Sequence, residues 1–369
     1  MRALALLVLL AACADAAVIV AEDSAPATDD DAGTLRDDGA PALDAAPLIA
    51  SDDASSSFAD DALPSPSDAA APDAEPAPDA AAPDAAAVPT CPTIGAPVAT
   101  GNIAVPGLIE LSGLVLGETN PDVYWAHNDS TADLYAIDRT TLALRARFRL
   151  TDAQGDRYGG GDVEDIALRP IPGGGAGGGG AEIFLGDIGS GHPDNVLHIY
   201  RVIEPMLPPA SMDINLTAEV MDVIDGRIAN AETLLVDPLD GTLVLVLKAA
   251  RAFACVVGPY AAGTTANPMC PVLITGLQNP SGGDVSPDGR FVALRNENLA
   301  YVWERPAGAT LADAFNGMRC DFPTLATTRN SDECNGEAIG FTRDGLGLVT
   351  ASERGGCATT NVHTYAFSP

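Results

Sequence analysis

The chain of 369 residues sets 19 Lys and Arg against 51 Asp and Glu, for a formal charge of −32, and 5% of it is aromatic. A surface this acidic repels phosphate backbones and excludes nucleic acid as a partner. With Lys248 its single lysine, it has no polybasic patch to hold it on an anionic membrane.

The first thirteen residues read as an export signal. Arg2 precedes a short apolar run, Ala3 to Ala12, too short to span a bilayer, and the run ends in Leu10-Ala11-Ala12-Cys13. That ending resembles the bacterial lipobox, which makes Cys13 the expected lipidation site; a plain secretory signal cut nearby is the other reading. Residues 14–90 are built almost wholly from Ala, Asp, Pro and Ser. Such a composition cannot bury enough apolar surface to offset its ordering entropy, so a disordered, extended stalk is expected there. Together the two segments predict a protein of the bacterial cell envelope, facing the periplasm or the cell surface. Its contact with the membrane is expected through the lipid anchor alone.

Residues 91–369 form the expected folded domain. It holds six cysteines, Cys91, Cys255, Cys270, Cys320, Cys334 and Cys357, an even number that suits an oxidising compartment. The pairing favoured from the sequence is Cys255–Cys270, Cys320–Cys334 and Cys91–Cys357, among the 15 that six cysteines allow. Turn chemistry organises the rest. Asp240-Gly241, Asp288-Gly289 and Asp344-Gly345 each separate two apolar or alternating runs, as hairpins do. Aligned on those turns, five units appear, whose first acids Glu110, Glu164, Glu232, Asp284 and Glu337 are 54, 68, 52 and 53 residues apart. The long second step contains the glycine run Gly173 to Gly180.

A period near 50 with about four strands per unit predicts an all-β fold, a five-bladed β-propeller, or six-bladed if two units have merged. The last unit has room for three strands, and the segment Val98 to Val105 ahead of the first unit is expected to supply the fourth and close the ring. A β-sandwich is the competing fold.

In a propeller the innermost strands line a central channel, so the five first acids should approach one another. Further groups stand at or just past the ends of the second strands: Asn128 with Asp129, Asp187, Lys248, Arg295 with Glu297, and Glu353 with Arg354. In the fourth unit Asp284 stands closer to its turn than its counterparts, a register that would point it the other way. Carboxylates gathered at one mouth demand a cation or hold protons. Oxygen ligands without a cysteine or histidine cluster suit Ca²⁺. Lys248, Arg295 and Arg354 are either the holders of an anionic ligand or internal partners of the acids. Motifs of serine hydrolases, zinc proteases and phosphate loops are absent from the sequence.

Several blocks together resemble a group of secreted bacterial propeller proteins: Glu110-Leu111-Ser112-Gly113, Trp125-Ala126-His127-Asn128-Asp129-Ser130, Asp162-Val163-Glu164-Asp165, Gly186-Asp187-Ile188-Gly189, Gly283-Asp284-Val285 and Gly336-Glu337-Ala338. That group is distantly similar to phytase-like, esterase-like and lactonase-type propellers. The resemblance spans about residues 105–355 and implies that Glu110, Asp129, Glu164, Asp165, Asp187, Glu232, Asp284 and Glu337 line a metal-bearing mouth. The chain departs from the group at Ser190-Gly191, where Asp-Asn is usual, and at Thr131, where glycine is usual.

Two functions follow as expectations. One is a calcium-assisted hydrolase of a phosphoester, ester or lactone, with Glu164 or Glu337 as the base and Lys248 or Arg295, with Arg354 and Asn128 nearby, on a small anionic or ester ligand. The other is a non-catalytic propeller that binds a glycan, peptide or protein while calcium only stiffens it. A monomer is expected in either case.

Overall fold

Runs such as Leu243-Val244-Leu245-Val246-Leu247 suit strands buried on both faces, and five units of this kind shape the domain. The computed structural model describes residues 91–368 apart from 160, 172–179, 191, 193–194, 225, 227, 229, 323–332, 334 and 355–360. The signal, the stalk and the body of the glycine run therefore lie outside the described residues.

Five antiparallel sheets follow one another along the chain, each running from an innermost strand outward. Blade one comprises Leu111–Leu116, Val123–Asn128, Thr131–Asp138 and Leu144–Thr151, and blade two comprises Val163–Pro170, Ala181–Asp187, Val196–Ile203 and Glu219–Ile224. Blade three holds Ala231–Val236, Thr242–Leu247, Phe253–Pro259 and Met269–Leu273. Blade four holds Gly282–Val285, Phe291–Arg295, Ala300–Glu304 and Met318–Asp321. Blade five has Asn335–Phe341, Gly347–Glu353 and Asn361–Ser368, and the N-terminal segments Thr93–Ile94 and Val98–Asn102 pair with the last of these as its outer edge. The ring thus closes as expected, with the closing strand interrupted midway and ending at Asn102. The Asp-Gly hairpins hold Gly241, Gly289 and Gly345 at φ of 81°, 72° and 66°, a conformation that glycine adopts without strain.

Ring closure also shows in the core. Apolar clusters lie between blades one and two, two and three, three and four, four and five, and five and one. Five interfaces, each with its own cluster, give a five-bladed propeller and leave no place for a sixth blade or a sandwich. Trp125 packs in the first of these, and its indole N–H donates to Glu204 of blade two at 2.9 Å; Trp303 packs on Phe315 in the third.

Two features were not expected from the sequence. Asp213–Thr217 adds to blade one parallel to its outer strand, and Thr265–Ala266 does the same for blade two, so a later stretch of chain straps the preceding blade in each case. The disulfides also differ from the favoured pairing. Cys255–Cys270 forms within blade three, but Cys91 bonds Cys320 across 229 residues, not Cys357, and Cys320 is therefore not paired with Cys334. The reason is the closed ring: the closing strand on blade five begins beside the outermost strand of blade four. Cys334 and Cys357 lie outside the described residues. Two disulfides mark an extracytoplasmic protein. Among the described residues no helix is long and apolar enough to cross a membrane.

Candidate functional site

A β-bulge recurs near the start of four innermost strands, and it decides where the acids point. Pairing slips by one residue at Ser112, Glu164, Glu232 and Glu337, leaving each as the extra residue of its strand. A bulge re-aims a side chain out of the regular alternation. The three glutamates meet at the hub in a polar cavity of about 210 Å³, together with Ser112 of blade one. Because the second strands run antiparallel to the first, their ends arrive at the same mouth and add Lys248, Glu297 and Glu353; Glu110, Asp129 and Asn335 complete the wall.

Partners within this wall are unevenly shared. Lys248 Nζ donates to Glu232 Oε2 at 2.5 Å, and Asn230 donates to the other oxygen of Glu232 at 3.2 Å. Asn128 orders Glu110: its Oδ1 accepts the Glu110 N–H at 2.9 Å, and its Nδ2 donates to Ser130, which in turn donates to Glu110 Oε2 at 3.0 Å. Asn335 donates to Glu353. Glu337 is 7% exposed, yet its Oε2 has no hydrogen-bond partner.

Burial, with Glu232 and Asp162 close by, pushes the Glu164 carboxyl up to about 10. Burial also pushes Glu337 up to about 8, with Lys248 opposing and Glu232 adding to the rise. Asp129 rises to about 7 through burial and its contact with Glu110. Burial disfavours the charge on Lys248, but Glu232 outweighs it and the ammonium is held above its ordinary range. At neutral pH Glu164 and Glu337 therefore favour their protonated forms beside the Lys248–Glu232 pair.

The structure gathers Glu110, Asp129, Glu164, Glu232, Lys248, Glu297, Glu337 and Glu353 in one wall, with Asn128 bonded to Glu110 beside it, but not Asp165, Asp187, Asp284, Arg295 or Arg354. Asp165 is the in-strand neighbour of bulged Glu164, so its side chain turns inward to stitch blades. It accepts the Leu234 N–H of blade three at 2.9 Å and the Ile166 N–H at 2.9 Å, with the Gly283 N–H of blade four also turned to it. Asp284 follows the same logic, because blade four pairs without a bulge. It accepts Val285 N–H at 2.8 Å and, across the blade boundary, Phe341 N–H at 2.7 Å, and it borders a cleft at the opposite end of the hub. Asp187 folds the chain ahead of its own blade, accepting the Asp162 N–H at 2.7 Å and the Tyr200 hydroxyl at 3.2 Å. None of these three acids lines the cavity.

Arg295, expected at the mouth, lies in the core instead. It is fully buried and paired at 3.1 Å with Glu333, also fully buried, and donates to the Ala338 carbonyl at 3.0 Å. Glu333 also accepts from Thr350 and contacts His363 Nδ1 at 2.8 Å, so His363 belongs to the core. Burial alone would raise the Glu333 carboxyl, but Arg295, His363 and Thr350 together hold it below its ordinary value. Arg354 is exposed, and its main-chain N–H donates to the Ile109 carbonyl at 3.0 Å. Glu333 escaped sequence reasoning because it precedes its blade. Gly336 was the available sign: a Cβ there would lie 1.7 Å from an Arg295 guanidinium nitrogen, so glycine marks the close approach.

Among the described residues no group of three or more His, Cys, Asp or Glu stands ready to hold a metal ion. The expected calcium cage is not preformed. The carboxylates of the wall still offer the oxygen donors that suit a hard cation, and among them Glu337 has a buried Oε2 without a partner.

Fold and site together define a five-bladed β-propeller with an acidic hub mouth. No protein-family model matches the chain, and no curated protein matches it. Among solved structures it is similar to the PQQ-bound form of aldose sugar dehydrogenase from Streptomyces coelicolor, at 12% identity and a TM-score of 0.38, over 74% of this chain and 98% of that one. At that distance the likeness carries no statement about cofactor or activity.

Proposed function

We propose that the domain is an extracytoplasmic binding module whose hub mouth takes up a hard divalent cation of the calcium kind. The observation that carries this is Glu337 Oε2, buried at the mouth without a partner beside Glu164 and Glu232. Glu164, Glu232 and Glu337 would hold the cation, whose charge would favour the ionised form of the buried Glu164 and Glu337 carboxyls. Lys248, on the same wall, would face an anionic group of a bound ligand. With Arg295 in the core, Lys248 is the one of the two expected anion holders that lines the mouth. In support of the hydrolase reading are the two proton-holding carboxyls of Glu164 and Glu337, which suit acid–base work. Bound calcium would supply polarisation of a phosphoryl or carbonyl oxygen in that case. The apolar run ending in Leu10-Ala11-Ala12-Cys13 and the Ala, Asp, Pro and Ser composition of residues 14–90 support an envelope lipoprotein.

Thermal melting of the purified protein with calcium and then with chelator tests the site. A calcium-dependent rise in melting temperature, lost in Glu337→Gln, is expected; no shift at millimolar calcium overturns the cation reading. Panels of aryl phosphate, aryl ester and lactone separate the two functions, since chelator-sensitive turnover lost in Glu164→Gln would make the protein an enzyme. Labelled fatty acid incorporated by wild type but not by Cys13→Ser tests the anchor.

A further inference from the structure

Two of the turns that edge the mouth also wall a second cavity, of about 410 Å³, between blades three and four. Lys248 and Glu297 line the mouth, while Ala250 and Arg251 of the one turn and Asn296 and Leu299 of the other line the cavity. The segment that joins the two blades, from Leu273 to Gln278, completes it. Hydrogen bonds tie these three loops together. The Asn279 N–H donates to the Ala249 carbonyl at 2.9 Å, and Asn296 Nδ2 donates to the Gln278 carbonyl at 2.8 Å. Asn296 Oδ1 accepts the Leu299 N–H of its own turn at 2.7 Å. The cavity is therefore preorganised.

Its charge is the reverse of the chain's. Against 51 Asp and Glu in the sequence, no acid lines this cavity, and its one charged residue is Arg251. Glu297, on the turn that supplies Asn296 and Leu299, lines the mouth instead. Arg251 is exposed, and among the described residues no acid or carbonyl bonds its guanidinium. The cations around it are taken: Lys248 pairs with Glu232, Arg295 with Glu333 and Arg305 with Asp237. A free guanidinium offers a planar fork of donors that matches the two oxygens of a carboxylate. Leu273, Leu277 and Leu299 give the cavity an apolar side, and Leu299 is 48% exposed, with area left to cover. A mostly apolar hollow of this size with a few polar groups is the usual form of a small-molecule site. Distant acids repel an anion only weakly, since salt screens them beyond about 8 Å, whereas Arg251 acts at contact.

We propose that this cavity binds a small organic monocarboxylate, with its carboxylate on Arg251 and its apolar body against the leucines. One cation answers one negative charge, which favours a carboxylate over a phosphate ester carrying nearly two. The site goes beyond the cation site of the mouth and depends on neither calcium nor the bulged glutamates.

Fluorescence titration of the full chain with dansylglycine and dansylglycinamide, which share an apolar body and differ in the carboxylate, tests the proposal. Dansylglycine is expected to bind about tenfold tighter than its amide, the worth of one charge-assisted hydrogen bond. Arg251→Gln should erase that preference and leave the melting temperature unchanged, because the guanidinium bonds nothing in the fold. Leu299→Ser, a change at an exposed position, should weaken both probes equally and keep the preference. Octanoate should displace dansylglycine, and octylamine should not. Chelator and Glu337→Gln should leave the titration as it was, so failure of the calcium reading is seen separately from failure of this one. Equal binding of the two probes, no binding of dansylglycine at millimolar concentration, or a preference that survives Arg251→Gln overturns the site. Displacement by octylamine as strong as by octanoate overturns the anion as its occupant, and binding lost with chelator overturns the cavity as its place.

Discussion

Blades three and four begin with the same ingredients and put them to opposite uses. Each carries an acid on its innermost strand, Glu232 or Asp284, and a cation at or just past the end of its second strand, Lys248 or Arg295. In blade three the strand bulges at Glu232, and acid and cation pair at the mouth. In blade four the pairing is regular, so Asp284 stitches to blade five and Arg295 sinks into the core. One extra residue in a strand thus decides whether a carboxylate belongs to the site or to the scaffold.

The sharpest way to break this contrast is to remove each cation in turn. Arg295→Met strands Glu333 as an uncompensated buried charge and should cost about 3–5 kcal/mol in chemical denaturation. Lys248→Met loosens a partly exposed pair at the mouth and should cost under about 1 kcal/mol. Similar losses for both would mean that the two cations play the same part.

The stitching acid makes a pH-dependent prediction. Burial pushes the Asp284 carboxyl from 3.8 up to about 7, against the pull of its two N–H donors. The folded protein then keeps a proton that the unfolded chain releases above pH 4. Stability contributed by this group is full below about pH 4 and falls as pH rises toward 7, by on the order of 2–4 kcal/mol. Asp284→Asn should flatten that slope in denaturation curves taken from pH 4 to 8; an unchanged slope would assign it to the other raised carboxyls.

The repeat and its hairpins were legible because Asp-Gly turns and in-phase acids recur at nearly constant spacing. Glu164, Glu232 and Glu337 were found for the same reason. The bulges were not legible: nothing local distinguishes Glu164, which faces the cavity, from Asp165 beside it, which does not. Register is a property of two strands. The Cys91–Cys320 bond and the parallel straps at Asp213–Thr217 and Thr265–Ala266 were hidden likewise, since each depends on which blades become neighbours once the ring has closed. Gly336 was the readable trace of a buried group. Gly336→Ala drives a methyl into the Arg295 guanidinium and should cost about 1–3 kcal/mol, whereas an unchanged melting temperature would show that the arginine can shift aside.

The smallest effect on stability tests the mouth most directly. Glu337 and Glu164 both resist ionisation, so without a cation the neutral amide of Glu337→Gln replaces a carboxyl that already holds its proton near neutrality. The substitution should change metal-free stability at pH 7 by under about 1 kcal/mol, as an isosteric exchange of one neutral polar group for another. With calcium the two proteins should diverge, because binding to the folded state alone stabilises it in proportion to the logarithm of ligand over Kd. Wild type should gain melting temperature as calcium rises, and the variant should stay where it was. The same experiment on Asp284→Asn sharpens the comparison between the blades: an acid that stitches should leave the calcium response intact, and its loss there would place Asp284 in the site after all.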